Sequence, residues 1–151
     1  MDRVVAVEPD PQNYKILREN VEGNGIENVT LIEKALYSSS GQKMRFWENR
    51  VMSKFSDEDQ VDVETETLDD ITQQLDLHPT AIKMDIEGAE KFALRGMDRS
   101  LETVRMVQAE IHDGESFKIL GEKLQGFSIS GRNGQEMWSV YAYVLNNPSG
   151  R

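Results

Sequence analysis

Ile82-Lys83-Met84-Asp85-Ile86-Glu87-Gly88-Ala89-Glu90 is the stretch that decides how this chain reads. A short apolar run from Ala81 to Met84 ends abruptly in a carboxylate. Two further acids flank a glycine, and the helical pattern Phe92-Ala93-Leu94 follows. The pattern predicts a buried strand whose C-terminal tip carries acids into a helix start. In open α/β sheets, ligands bind in the crevice outside such tips. The tip is therefore the candidate site.

Toward the N-terminus, Val4-Val5-Ala6-Val7-Glu8 is another mostly β-branched run, predicted as a strand buried on both faces. Asp10 is a natural N-cap and Pro11 suits the first helical position. Tyr14, Leu17 and Val21 recur at helical spacing until Gly23 or Gly25 ends the helix. Val29 to Glu33, followed by Ala35-Leu36, completes a strand-helix-strand unit over residues 4–36, with a right-handed parallel crossover as the default. Residues 37–67 form an antiparallel excursion around Met44, Phe46 and the alternating Val61, Val63 and Thr65. Thr67 to Asp70 resembles a capping box and opens a helix that His78-Pro79 ends.

Beyond the opening stretch, Phe92, Leu94 and Met97 form an apolar face and Gly96 breaks the helix. Arg105 to Glu110 is a strand that again ends in an acid, with Ile111-His112-Asp113-Gly114 behind it. A helix carrying Phe117, Leu120 and Leu124 follows. Residues 127–145 carry a hairpin signature with the turn Gly131-Arg132-Asn133-Gly134. Residues 81–145 thus hold the remaining strands and helices of one 151-residue α/β domain, with a mostly parallel sheet and a reversed last strand.

Composition narrows the function. The net charge of −10, from 27 acids against 17 bases, argues against nucleic acid as a partner. No apolar run approaches a membrane span and no signal peptide is evident, so a cytoplasmic location is expected. The absence of cysteine excludes disulfides and thiolate chemistry.

Three predicted parallel strands end in acids, Glu8, Asp85 and Glu110, and Glu33 would be a fourth. One acid at a strand end is ordinary, because that is where polar residues begin. Several on one rim would line the ligand crevice. A carboxylate such as Glu8 can accept from both hydroxyls of a ribose, a feature shared by dinucleotide and S-adenosylmethionine folds.

Together these residues resemble the FkbM-type methyltransferases. The resemblance runs through Val4 to Pro11, Asn13-Tyr14, Leu17 to Asn20, Asn28-Val29, Ala35-Leu36 and Thr65 to Asp70. Its most specific part is the Lys-x-Asp-x-Glu-Gly-x-Glu pattern of Lys83 to Glu90. It implies a Rossmann-like class I methyltransferase fold using S-adenosylmethionine and methylating a hydroxyl of a sugar or natural product. By that resemblance Glu8 would hold the ribose, Glu33, Ala35 and Leu36 would border the adenine, and Asp85 would lie beside the methionine end or the substrate. An alcohol attacking the sulfonium methyl must lose its proton, and Glu87, Glu110 and His112 are the candidate bases. Glu87 and Glu90 have a simpler reading as acids at a helix start. No metal is assigned; a divalent ion at Asp85, Glu110, His112 and Asp113 is the less favoured alternative.

The chain departs from the family at one motif. The family's Gly-rich cofactor turn follows a first strand, and here only Met1-Asp2-Arg3 precedes Val4. The expectation is a fold lacking that strand, with weakened cofactor binding by this chain alone. The strands at Val4 and Ala81 are then expected to pair directly or through another copy. Two rival readings stand beside this one: a non-catalytic remnant that dimerises or binds a partner through its open sheet, and a nicotinamide-dinucleotide domain. The reversed hairpin and the acids from Asp85 to Glu90 count against the latter.

Overall fold

The computed structural model describes residues 3–47, 60–133 and 138–143. Strand β1 (Val4–Val7), helix α1 (Pro11–Gly23) and strand β2 (Val29–Ile32) form the first crossover, with the strands parallel and Val4 opposite Val29. The helix starts where predicted. Asp10 is extended, and its carboxylate accepts from the N–H groups of Gln12 and Asn13 at 2.9 and 2.8 Å, satisfying donors that have no intrahelical partner.

The excursion forms β3 (Ala35–Leu36), β4 (Lys43–Trp47) and β5 (Gln60–Glu66). β5 is antiparallel to β4 and parallel to β3. Helix α2 (Leu68–Gln74) is capped by Thr67, whose hydroxyl accepts from Asp70 N–H at 3.0 Å. The expected reciprocal half of the box comes from elsewhere: Thr67 N–H donates to Ser40 Oγ at 3.0 Å, and the Ser40 hydroxyl in turn donates to the Asp70 carboxylate.

The second half contains β6 (Ala81–Met84), α3 (Glu90–Arg95), α4 (Asp98–Leu101), β7 (Met106–Ile111), α5 (Gly114–Lys123), β8 (Ser128–Asn133) and β9 (Trp138–Tyr143). Its sheet runs β6-β7-β9-β8, with β6 parallel to β7 and β9 antiparallel to both neighbours. The reversed last strand is as expected. β8 runs on through Gly131 and Arg132 to Asn133, which were predicted as turn, and residues 134–137 lie outside the described part.

Two expectations fail. Among the described residues the strands form not one sheet but three, β1-β2, β3-β5-β4 and the four-stranded sheet. β1 and β6 do not pair with each other, and among the described residues each has a ladder on one side only. The predicted two-sided burial of these strands fails for the same reason. Val4 is 47% exposed, and Ala81 and Lys83 are exposed.

The core sits in the second half. Met84, Leu94, Val107, Ile111, Leu120 and Val140 are buried together, with α3 and α5 covering one face of the sheet. Along β7, Val107, Ala109 and Ile111 point into this core, so Gln108 and Glu110 point away from it. α3 stops at Arg95, with Gly96 as C-cap, so Met97 lies beyond the helix although still buried. On α5 the buried places go to Ser116 and Leu120, while Phe117 is 43% exposed. No helix among the described residues is long and apolar enough to cross a membrane.

Candidate active site at the strand tips

The parallel arrangement of β6 and β7, with Met84 beside Ala109, brings their C-terminal tips side by side. Asp85 follows the last residue of β6 and is exposed. Glu110 is the penultimate residue of β7, half-buried on the face opposite the core, and His112 follows the strand. These three converge. One donor atom from each lies within 4.8 Å of the other two.

The turn after β6 has unusual backbone. Glu87 has φ +52 and Gly88 φ +99, and a positive φ at a non-glycine residue stores strain. This turn leads into α3, and the exposed Glu87 carboxylate lies 3.7 Å from His112 Nε2.

Glu90 is the residue that sequence reasoning undervalued. It opens α3, but it is not a solvated acid at a helix start: its exposure is 0%. Its Oε1 accepts from Gly88 N–H at 2.9 Å and lies 2.9 Å from His112 Nδ1. Since Oε1 already accepts from Gly88, the simplest arrangement has Nδ1–H donating to the same oxygen. The neutral ring then carries its lone pair on Nε2, the nitrogen nearer Glu87. A fully buried carboxylate is costly unless compensated, and Oε2 has no hydrogen-bond partner among the described residues. The signal was present in the spacing: Glu90, Ala93 and Leu94 share one helical face, and that face is the buried one.

Asp113, the fourth ligand of the metal alternative, is otherwise engaged. It caps α5, accepting from Ser116 N–H at 2.8 Å and from Ser116 Oγ at 2.7 Å. Burial by itself would raise its carboxyl, but these hydrogen bonds outweigh burial and hold it below the usual aspartate range.

The residues expected to border a cofactor lie in the other half. Glu8 stands at the tip of β1, where its Oε1 accepts from Asp10 N–H at 2.9 Å. Glu33 is exposed between β2 and β3. Ala35 is buried and Leu36 packs against the main core. Among the described residues, no hydrogen bond or ion pair joins Glu8 or Glu33 to the group at β6 and β7.

Residues 1–132 match the methyltransferase FkbM domain family. The chain is 30% identical over 132 residues to the hexuronic acid methyltransferase AglP of Haloferax volcanii, an alignment covering 84% of this chain and 54% of that protein. It thus spans about half the length of this curated relative. Among solved structures, an rRNA methylase from Streptococcus thermophilus superposes with a TM-score of 0.56 at 13% identity, covering 95% of this chain and 74% of that one. A precorrin-6y C5,15-methyltransferase from Geobacter metallireducens gives 0.51 at 16%, covering 95% and 67%. At such identities the likeness concerns fold, and the fold is the Rossmann-like α/β architecture of class I methyltransferases.

Proposed function

Because the chain belongs to the FkbM methyltransferase domain family, we propose that it transfers a methyl group from S-adenosylmethionine to a sugar hydroxyl at the β6–β7 tips. The observation that carries this reading is the convergence of Asp85, Glu110 and His112 in the crevice where α/β sheets hold ligands. The named activity of the Haloferax relative supports a carbohydrate acceptor.

In the reaction, an alcohol oxygen attacks the sulfonium methyl in line. The new O–C bond forms as the C–S bond breaks, S-adenosylhomocysteine leaves, and the alcohol proton passes to a protein group. Glu87, Glu110 and His112 are the groups at the tips that can receive it. Glu8 Oε2 serves the cofactor ribose, with Glu33, Ala35 and Leu36 toward the adenine and Asp85 toward the methionine end or the acceptor.

Calorimetric titration with S-adenosylmethionine, paired with transfer of labelled methyl to hexuronic acid glycosides, tests the proposal. Glu8→Gln is expected to weaken cofactor binding about tenfold or more, at the scale of a hydrogen bond to a charged group. Replacing the operative base slows transfer by about 100- to 10,000-fold. A folded protein that binds no cofactor at millimolar concentration would sink catalysis by this chain.

A second reading draws on β1 and β6, each of which has a ladder on one side only among the described residues and so offers an edge to a strand of another copy. Light scattering tests it: a monomer at all concentrations removes it.

A further inference from the structure

Four carboxylates surround one imidazole at the ends of β6 and β7. Glu90 engages Nδ1 at 2.9 Å and Glu87 lies 3.7 Å from Nε2. Asp85 and Glu110 bring an oxygen each to within 4.8 Å of one another and of a His112 nitrogen. Among the described residues, no lysine or arginine pairs with any of these four acids. Asp85 and Glu110 accept no side-chain hydrogen bond there either. Acids drawn this close repel one another unless a positive charge sits among them. The wholly buried Glu90, with Oε2 unpartnered, brings a further carboxyl group to the ring and no cation.

We propose that Asp85, Glu110 and His112 Nε2 bind a divalent cation. Two carboxylates and one imidazole suit a hard, oxygen-preferring ion such as Mn2+ or Mg2+, and their two negative charges match its two positive ones. Glu90 is the positioning residue: a carboxylate on the far nitrogen fixes the ring's tautomer and orientation for ligation through the near one. The strained turn at Glu87 and Gly88 lies between Asp85 and Glu90 in the chain. Asp113 takes no part, being occupied by Ser116.

The use of the ion rests on the methyl-transfer reading. Three protein donors leave coordination positions open for hydroxyls of the acceptor. A metal-bound alcohol gives up its proton more readily, and Glu87, exposed and adjacent, receives it as the methyl–oxygen bond forms.

The binding claim is tested without cofactor or acceptor. Mn2+ titrated into the protein, followed by the electron paramagnetic resonance of free Mn2+ and by calorimetry, is expected to fill one site per chain. Asp85→Asn and Glu110→Gln keep side-chain shape and are expected to weaken the site at least tenfold. Glu90→Gln, which touches no metal, is expected to weaken it about 10- to 100-fold. Glu122→Gln, on the exposed side of α5, leaves it unchanged. Absence of binding by Mn2+ and Mg2+, or binding that survives Asp85→Asn and Glu110→Gln, overturns the proposal. Mn2+ bound as expected in a protein without methyl transfer overturns the functional reading and leaves this one standing.

Discussion

Helix α1 is 13 residues long and hides none of them, whereas the 10-residue α5 holds Leu120 at 1% exposure. The same contrast separates the strands beside them. In β1 no residue is buried, while β7 alternates buried residues with its site-facing ones. Val4-Val5-Ala6-Val7 is the more apolar of the two segments, so side-chain chemistry is not the source of the difference. What differs is neighbours. β7 lies between β6 and β9 under two helices, while among the described residues β1 has a ladder to β2 alone. The half bearing the candidate chemistry is therefore well packed, and the half expected to hold the cofactor is lean.

Mutation can break this comparison. The largest effect is expected from Leu120→Ala, which opens a cavity in the core and costs about 2–5 kcal/mol in urea unfolding. Ile16→Ala on α1, where the side chain is 56% exposed, costs no more than about 0.5 kcal/mol. Equal losses would show that the two halves are packed alike. Next comes Gly96→Ala. A Cβ there would collide with the backbone oxygen of Tyr37 and press on the Thr67 side chain, so a loss of about 1–3 kcal/mol in the same measurement is expected. Gly96 lies where the excursion meets α3, beside the stacked rings of Tyr37 and Phe92 (centroids 4.7 Å apart).

Capping should ignore the contrast, because it is local. Asp10→Ala in the lean half and Asp113→Ala in the packed half are each expected to cost about 1 kcal/mol, measured by thermal melting. Strongly unequal losses would mean that the lean half is already open at α1. The smallest effect is one of pH. Asp113 is held below the usual aspartate range, so around that range the folded protein binds fewer protons there than the unfolded chain. Its contribution is fully present above the ordinary aspartate pKa and is lost as pH falls through the folded value. Urea midpoints taken down an acid series should fall less steeply for Asp113→Asn than for the parent.

Much of the architecture was legible beforehand, for physical reasons that can be named. Asp10-Pro11 and Thr67 are start signals whose geometry is intrinsic to a few residues, and both helices begin there. The apolar run at Ala81 and the alternation around Val63 correctly marked strands. The separation into three sheets was not legible, since an apolar run shows that a strand wants neighbours and not whether it has them. At the site, Asp85, Glu87, Glu110 and His112 were found because acids at strand tips are a local pattern. Glu90 was read as a helix-start acid because its partner His112 is 22 residues away. Only its place on the same helical face as Ala93 and Leu94 hinted at burial.

The account turns on how Glu90 holds His112, and the tautomer of that ring can be observed directly. Long-range proton–nitrogen correlation spectra of uniformly labelled protein, recorded at alkaline pH where imidazoles are neutral, report which nitrogen carries the proton. The chain has two histidines, so His112→Asn assigns the signals. The account predicts the proton on Nδ1 and a bare Nε2 facing Asp85 and Glu110, with that preference lost in Glu90→Gln. A proton on Nε2 in the parent protein would contradict it, since His112 would then offer the crevice neither a base nor a metal ligand.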